Sequence, residues 1–361
     1  MRLLVFPLDM DENDVVIEIA TMLGIDVVGA SSVMTTAGNK PISHFIRLPF
    51  VTDTAFDGAL REAIEHYGIT TVFSAHTGVW RHLDTLKKAQ HSDLYTFTLC
   101  QPHPFVVTRQ RFSAHEIWAK TAEQDTEARR IGGCKIRPSL TRNSYAALHR
   151  QFLSTPGQCD EGKLLALCDI ARLLPVGDMV EVGCLYGRSS LALGFLAWRH
   201  GIGNLICVDP WRGDQLTDQG KQATLINTDR TNVGFESIFT IFLSTIATLE
   251  NVAYIRAISE LAHPVYTTAL QTGHLESPGL GRITLSPQLS LVHIDGNHRY
   301  DHVSQDVALW STHLARGGWL LLDDYLWAFG DGPRRVGNEL LESQIYDLAF
   351  VSGDTLFLRR A

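Results

Sequence analysis

Short apolar runs and segments of helical periodicity alternate twice along this chain, on either side of a polar stretch. The first series has strand-like runs at residues 3–7, 26–30, 45–48, 71–75 and 95–100, with helical segments at 15–23 and 55–67. The second has helical segments at 163–173, 189–198 and 235–249, with strand-like runs at 179–182, 204–208, 252–256, 289–294 and 319–322. Such alternation predicts parallel sheets with right-handed crossovers. The chain is therefore predicted to be an α/β protein.

The length of 361 residues predicts more than one domain. The stretch between the two series is rich in Arg, His, Gln and Ala and has helical pieces near 114–123 and 144–152. The predicted organisation is a smaller parallel α/β domain at 1–101, a helical linker at 102–162 and a larger domain at 163–361. In the larger domain, 272–288 is predicted to be an inserted loop, and 346–351 and 355–358 a closing antiparallel pair.

The formal charge of −8 argues against binding to nucleic acid, which requires a basic surface. No apolar run approaches the roughly 20 residues of a membrane span, and the first residues are typical of a strand rather than of a signal peptide. The six cysteines are scattered, with no paired spacing that favours a zinc site or a disulfide framework. These features predict a cytoplasmic enzyme with a small-molecule partner, without nucleic acid or membrane contacts.

A glycine-rich turn, EVGCLYGRSS at 181–190, follows the first strand of the second series. Gly183 and Gly187 would let the backbone approach a ligand closely at the start of the following helix. The spacing differs from the dinucleotide-binding GxGxxG pattern, so NAD is a poor fit. A purely structural turn between strand and helix is the alternative.

Asp209 ends the next strand, about 20 residues further on. In open α/β sheets, an acid in this place accepts hydrogen bonds from ribose hydroxyls. The alternative is a helix-capping or solvent-facing acid.

Three more acids follow two later strands, in HIDGNHRY at 293–300 and GGWLLLDDY at 317–325. Asp295, Asp323 and Asp324 are predicted to converge where these strands end. Clustered carboxylates repel one another unless a cation or a proton neutralises them, and a site made of oxygens suits Mg²⁺ better than zinc. The alternative is that Asp323 or Asp324 caps the next turn while Asp295 pairs with Arg299.

These motifs resemble the class I S-adenosyl-L-methionine (SAM)-dependent methyltransferases over residues 163–361, and HIDGNHRY with GGWLLLDDY resembles their metal-dependent catechol-type and macrolide-sugar-type O-methyltransferases. The resemblance implies a Rossmann-like seven-stranded domain that binds SAM. It implies the following contacts: Gly183 and Ser189 with the amino-carboxyl part of SAM and Glu181 behind them, Asp209 with the ribose, Ser259 and Glu260 along the adenine, and Asp295, Asp323 and Asp324 with Mg²⁺.

His298 falls where these enzymes place a general base, three residues after Asp295. A neutral imidazole accepts a proton from a hydroxyl near neutral pH. The alternative is a loop histidine in contact with solvent. His293, His302 and His313 lack this spacing and are predicted to be structural. The chain departs from the catechol enzymes at Asp324, where those enzymes have asparagine, so metal dependence is implied rather than established.

The first hundred residues resemble the small α/β domain that precedes the ATP-grasp fold in carboxylate–amine ligases, through RLLVFPLDMDENDVVIEIATMLGIDVVGASS and HYGITTVFSAHTGVW. No nucleotide lid follows this domain in 102–162. An accessory role in substrate recognition or in assembly, including a homo-oligomer, is therefore favoured.

The sequence thus favours a small-molecule methyltransferase acting on oxygen, with a sugar or a secondary metabolite as acceptor and with Mg²⁺ as a candidate second cofactor. One alternative is an N-methylating or hydroxylase-like relative. The other is a non-catalytic SAM-binding or scaffolding subunit of a separate ATP-grasp enzyme.

Overall fold

The computed structural model describes residues 1–89, 94–124, 136–213, 218–227 and 234–361. The chain divides into two compact units, Met1–Ala114 and His115–Ala361. The division falls within the helix Pro104–Glu123, and part of the predicted linker, 125–135, lies outside the described residues. The predicted domain boundaries stay predictions.

The N-terminal unit contains a five-stranded parallel sheet in the order β3-β2-β1-β4-β5. Its strands are β1 (Arg2–Val5), β2 (Asp26–Ser31), β3 (His44–Arg47), β4 (Thr71–Phe73) and β5 (Thr98–Leu99). Its helices are α1 (Glu12–Met22), α2 (Phe56–Tyr67), α3 (Thr77–Lys88) and the first part of α4 (Pro104–Glu123). The predicted parallel α/β architecture is confirmed.

Helix α3 is absent from the sequence prediction, which gives no helix between the strand-like runs at 71–75 and 95–100. The helix begins after His76, whose side chain accepts a hydrogen bond from the Val79 N–H and so caps the first turn. Val79, Leu83 and Leu86 are buried at helical spacing. Histidine is an uncommon capping residue, which explains why the start of this helix was missed.

The C-terminal unit contains a seven-stranded sheet in the order β13-β14-β12-β11-β6-β7-β8. Its strands are β6 (Asp178–Val182), β7 (Leu205–Val208), β8 (Val252–Ile255), β11 (Leu289–Ile294), β12 (Leu314–Leu322), β13 (Tyr346–Ser352) and β14 (Thr355–Arg360). Its helices are the end of α4, α5 (Arg142–Ser154), α6 (Glu161–Ala171), α7 (Arg188–His200), α8 (Thr224–Asn227), α9 (Phe235–Ile246), α10 (Ser259–Thr272), α11 (Tyr300–Trp310) and α12 (Gly332–Glu342). The predicted seven-stranded Rossmann-like domain is confirmed.

Two apolar layers cover the two faces of this sheet. Helices α5, α6, α7 and α9 pack in one layer, and α10, α11 and α12 pack in the other. The buried strands β6 and β11 are apolar along most of their length because both of their faces are covered.

The chain order reverses between the neighbouring central strands β6 and β11. From β6, the sheet continues through β7 to β8 on one side, whereas the other side begins with β11 and β12, all in parallel pairs. In open α/β sheets, ligands bind beyond the carboxyl ends of the strands at such a switch point. A ligand-binding site is therefore expected at the loops after β6 and β11.

Residues 272–288, predicted as an inserted loop, instead contain a β-hairpin. Strands β9 (His274–Ser277) and β10 (Gly281–Thr284) pair antiparallel. The segment that joins them, SPGLG at 277–281, is typical of a loop, so the two short strands are not recognisable from the sequence. The predicted closing pair at the C-terminus is confirmed as antiparallel β13 and β14.

Among the described residues, no helix combines the length and the apolar character that crossing a bilayer requires.

Candidate active site

A cavity of about 310 Å³ lies beyond the carboxyl ends of the central strands of the C-terminal unit. Its size is at the lower end of the range of about 300–1,000 Å³ for small-molecule sites. Of the residues predicted to be functional, nine line it: Gly183, Ser189, Asp209, Ser259, Glu260, Asp295, His298, Asp323 and Asp324. Glu181 and Gly187 do not line it.

Gly183 marks the closest approach between the loops after β6 and β11. Its φ is 85°, and a Cβ atom there would lie 1.9 Å from the backbone oxygen of Asp295. No other residue type fits both constraints. The glycine thus brings the two loops into contact, and the cavity opens beside them.

Gly187 precedes the first turn of α7 with a φ of 88°. Its backbone conformation, rather than a place on the cavity wall, explains the glycine. Ser189, in the first turn of the same helix, does line the cavity. The helix N-terminus therefore faces the cavity through Ser189, with the partial positive charge that favours an anionic group.

Glu181 is completely buried behind the glycine-rich loop. One oxygen of its carboxylate lies 2.9 Å from Nδ1 of His293, and the other accepts a hydrogen bond from Ser190 Oγ. Burial raises the pKa of Glu181, but the hydrogen bond and charge of His293 outweigh it and leave the pKa below its usual value. Glu181 supports the loop from behind, and His293, predicted to be structural, is its partner.

Asp209 lies where β7 ends, and it holds three backbone N–H groups. Its Oδ2 accepts from Cys184 at 2.8 Å and from Leu185 at 3.0 Å. Its Oδ1 accepts from Trp211 at 2.6 Å. A carboxylate has about four lone-pair sites, so Asp209 fixes the loop and still reaches the cavity wall, while burial raises its pKa.

Ser259 and Glu260 open α10 and line the cavity on the side of β8. Ser259 Oγ accepts a hydrogen bond of 2.7 Å from the indole N–H of Trp310. Asp306 of α11 also lines the cavity, and burial raises its pKa to about 7. Asp306, which the sequence analysis missed, is therefore a carboxyl group that gains or loses its proton near neutral pH.

The three acids predicted to bind a metal do converge, but a lysine lies among them. Lys163 Nζ lies 2.5 Å from Asp323 Oδ2 and 3.7 Å from Asp295 Oδ2. The lysine side chain is 1% exposed. Asp324 is the third acid of the group and has a φ of 54°. The alternative pairing of Asp295 with Arg299 is not observed.

The electrostatics of this cluster follow from the ion pair. Burial lowers the pKa of Lys163, but the charge of Asp323 outweighs it and raises that pKa well above its usual value. The same pair holds the pKa of Asp323 far below its usual range, against the opposing effect of burial. Burial and the neighbouring charge of Asp323 raise the pKa of Asp295. One full ion pair, Lys163–Asp323, therefore lies beside a carboxyl group that ionises reluctantly.

Magnesium does not fit the three acids in this arrangement. Mg²⁺ requires near-octahedral oxygen ligands at about 2.0–2.1 Å. Both oxygens of Asp323 are engaged, by Lys163 and by the hydroxyl of Thr355, and an ammonium group in the same space repels a divalent cation. A ligand atom from each of Asp295, His298 and Asp324 lies within 4.8 Å of the others. The arrangement of these side chains therefore gives no support to Mg²⁺ at Asp295, Asp323 and Asp324, which stays a prediction from the sequence.

His298 lies between an acid and an aromatic ring on the cavity wall. Its Nε2 lies 2.7 Å from Asp324 Oδ2, and its ring centroid is 4.3 Å from that of Trp327. Its backbone N–H donates to Gln219 Oε1 at 2.9 Å. Both ring nitrogens are buried, and the imidazole is packed between the carboxylate and the indole.

The backbone around the cavity carries local strain. Among the described residues outside glycine, Leu185, Trp211, Asp324 and Gln344 have positive φ. The first three line the cavity. Such conformations cost about 1–3 kcal/mol each and concentrate at functional sites. The strain is held by the contacts of Asp209 and by the hydrogen bond from the Trp211 indole N–H to the Leu185 oxygen.

Residues 180–325 match the family model for a methyltransferase domain. The match includes the loops after β6, β7, β11 and β12 that form the cavity wall. The C-terminal half carries a class I SAM-dependent methyltransferase domain. The family model spans less than half of the chain and leaves the N-terminal unit outside it.

Several solved structures are similar to this chain. The O-methyltransferase NovP is 15% identical, with 69% of this chain and 98% of that chain covered and a TM-score of 0.42. The calicheamicin methyltransferase CalS11 is 14% identical, with 65% and 96% covered and a TM-score of 0.40. The O-methyltransferase TomG from Streptomyces achromogenes is 16% identical, with 70% and 98% covered and a TM-score of 0.37. No curated protein sequence matches the chain.

Several cavity residues of the methyltransferase domain were not found by sequence reasoning. They come from helices and loops without a recognisable motif: Trp211, Gln219, Asp306 and Asp354, together with His302, which was predicted to be structural. Lys163, which contacts Asp323 of the cavity wall, was also missed. Lys163 lies in the first turn of α6, directly before the apolar residues LLALC. An isolated lysine beside such a run is the one feature of the sequence that indicates a buried, paired lysine.

Proposed function

We propose that this chain transfers a methyl group from SAM to an oxygen atom of a small molecule. The observation that carries the proposal is one continuous cavity. It joins the loop and the Asp209 carboxylate, predicted to hold SAM, to His298, predicted to accept a proton, and to the neighbouring Asp324. The proposed SAM-binding residues and the proposed general base thus line the same cavity.

The proposed SAM side consists of the loop after β6, the end of β7 and the first turn of α10. The N-terminus of α7 at Ser189 is suited to the carboxylate of the methionine part. Asp209 is placed for the ribose hydroxyls through its remaining lone pairs. Ser259 and Glu260 lie on the side of β8, where the adenine is expected.

The proposed acceptor side surrounds His298. SAM, when bound, supplies a methyl group activated by a positive sulfur. Transfer forms the bond between the acceptor oxygen and the methyl carbon, breaks the carbon–sulfur bond with its electron pair on sulfur, and passes the hydroxyl proton to His298. Asp324 holds the ring and its new charge, and the Trp327 ring packs against the imidazole. Positioning supplies most of the acceleration, since methyl transfer depends on an in-line approach.

The paired His298 and Asp324 favour catalysis over the scaffolding alternative. A subunit that only binds SAM needs the loop and Asp209 but has no use for an imidazole held by a carboxylate on the cavity wall. They also favour oxygen over nitrogen as the reacting atom, because a hydroxyl must lose its proton during transfer whereas a neutral amine attacks without a base.

The N-terminal unit is proposed to have an accessory role in substrate recognition or in self-association. Its parallel sheet places the loops 6–11 and 74–76 at the carboxyl ends of β1 and β4. Strand ends of this kind hold ligands in open α/β sheets.

The experiment that tests the proposed function follows an isotopically labelled methyl group. The wild-type chain and His298→Ala are each incubated with labelled SAM and an extract of small metabolites from the source cell. Oxygen-linked label that depends on His298 supports the proposal. Label on nitrogen supports the N-methylating alternative, and SAM binding without any labelled product supports the scaffold.

A further inference from the structure

We propose that the ammonium group of Lys163 is the built-in cation of this site and that it takes the place of a divalent metal between Asp295 and Asp323. The inference rests on the proposed function for its purpose, but it makes a claim about metal binding that is tested without any methyl transfer.

The geometry places Lys163 where a cation is needed. Its Nζ lies 2.5 Å from Asp323 and 3.7 Å from Asp295, and its side chain is almost entirely buried. A buried ammonium is costly unless carboxylates surround it, and buried carboxylates are costly without a cation. Each group therefore compensates for the other.

The backbone that carries Lys163 is held from two sides. The Lys163 N–H donates to the capping side chain of Asp160 at 2.7 Å. The oxygen of Gly162 accepts a hydrogen bond of 2.9 Å from Ser352 Oγ, at the end of β13. Because α6 is fixed to the sheet at this turn, the lysine does not leave the cluster without moving the first turn of its helix.

Asp323 is oriented by a second contact, which excludes further ligands. Thr355 Oγ1 donates to the Asp323 oxygen that does not face Lys163. A metal ion that used this carboxylate would have to displace the lysine, the threonine or both. Its binding would also bring a double positive charge next to the ammonium, which is strongly unfavourable in a buried place.

In this arrangement, unlike in a metal-assisted site, charge balance and proton removal are both assigned to side chains of the protein. The single charge of Lys163 balances Asp323 and holds the two loops together, whereas proton removal falls to His298 and Asp324. Lys163 is a positioning residue in this scheme, because burial keeps it from an acceptor in the cavity.

The test measures Mn²⁺ binding, by electron paramagnetic resonance and calorimetry, to the wild-type chain and to Lys163→Met. Wild type is expected to bind no Mn²⁺ at this cluster up to millimolar concentration. Lys163→Met leaves three carboxylates without their cation and is expected to bind Mn²⁺ at least tenfold more tightly. Lys88→Met is the matched control, because it removes an exposed lysine 2.6 Å from Asp84 and creates no buried site.

Stoichiometric Mn²⁺ binding to wild type that is lost in Asp323→Asn would overturn the inference. Lys163→Met is expected to be less stable, with a melting temperature that Mn²⁺ raises, and the double variant Lys163→Met/Asp323→Asn is expected to recover stability without metal. A Lys163→Met variant that binds SAM but gains no Mn²⁺ would also contradict the inference. SAM binding by the same samples reports on the proposed function separately, so the two failures are distinguishable.

Discussion

The carboxylate of Asp209 accepts a hydrogen bond from the backbone N–H of Cys184 at 2.8 Å. The contact links the end of β7 to the glycine-rich loop after β6, across two neighbouring strands. It gives Asp209 a role that precedes any ligand, because the loop owes its conformation to this acid. Strained Leu185, with a φ of 46°, is held by the same carboxylate oxygen at 3.0 Å.

Replacement of Asp209 by Ala is expected to loosen this loop before it affects any reaction. Three backbone N–H groups lose a charged acceptor, which predicts a loss of about 2–4 kcal/mol in the free energy of unfolding. Hydrogen exchange should accelerate at Cys184, Leu185 and Trp211. Asp209→Asn keeps one carbonyl oxygen and should show a smaller effect. Unchanged protection of these amides in Asp209→Ala would contradict the role assigned to Asp209.

A second prediction concerns the close approach at Gly183. Gly183→Ala is expected to lower the free energy of unfolding by more than about 3 kcal/mol, since it adds a clash with the Asp295 backbone to the cost of a positive φ. Gly201→Ala is the control, with a φ of 58° and no atom within 4 Å of the added Cβ. It should cost about 1 kcal/mol. Equal losses in denaturant titrations of the two variants would refute the close approach.

A third prediction assigns the proton transfer. His298→Ala is expected to lower kcat by about 100- to 10,000-fold, the usual contribution of a general base. The affinity for SAM should stay unchanged, because His298 lies on the acceptor side. Steady-state kinetics with an acceptor from the labelling experiment, combined with SAM titration, separates the two effects. A kcat close to that of wild type would remove His298 from the mechanism.

Asp324→Asn tests the partner of that histidine. The amide cannot stabilise a charged imidazole 2.7 Å away, so kcat should fall by about 100-fold through lost positioning. The fold should persist, as Asn tolerates the positive φ that Asp324 adopts. If Asp324→Asn lost as much SAM affinity as kcat, the carboxylate would belong to the cofactor side.

A fifth prediction concerns pH. Burial raises the pKa of Asp306 to about 7 in the folded chain, above the ordinary value of about 3.9 for an aspartate side chain. A raised folded pKa means stability that is present at low pH and lost as pH rises from about 4 through about 7. Asp306→Asn removes this loss, so its stability relative to wild type should increase over that range, by up to about 4 kcal/mol. Thermal unfolding between pH 4 and 8 measures the difference, and a difference that is independent of pH would contradict it.

The sheet of the C-terminal unit could be predicted because its strands end in recognisable residues. Each of β6, β7, β11 and β12 is an apolar run followed by glycine or aspartate, and parallel strands bring these ends together. The cavity residues at strand ends therefore follow from local patterns. The roles assigned to them remain proposals.

Lys163 could not be predicted in the same way. It is 160 residues from Asp323 along the chain, and only the packing of α6 against the sheet brings them together. Short elements such as the hairpin β9–β10 were missed because their turn residues resemble a loop.

The most direct test of the proposed SAM site is a calorimetric titration of the folded wild-type chain with SAM, repeated on Asp209→Ala. We expect the wild-type chain to bind one SAM, with a Kd on the order of 1–100 μM, as is common for enzyme substrates. The affinity for SAM should be at least tenfold weaker in Asp209→Ala. A folded wild-type chain that binds no SAM at millimolar concentration would contradict the central claim that this cavity serves methyl transfer.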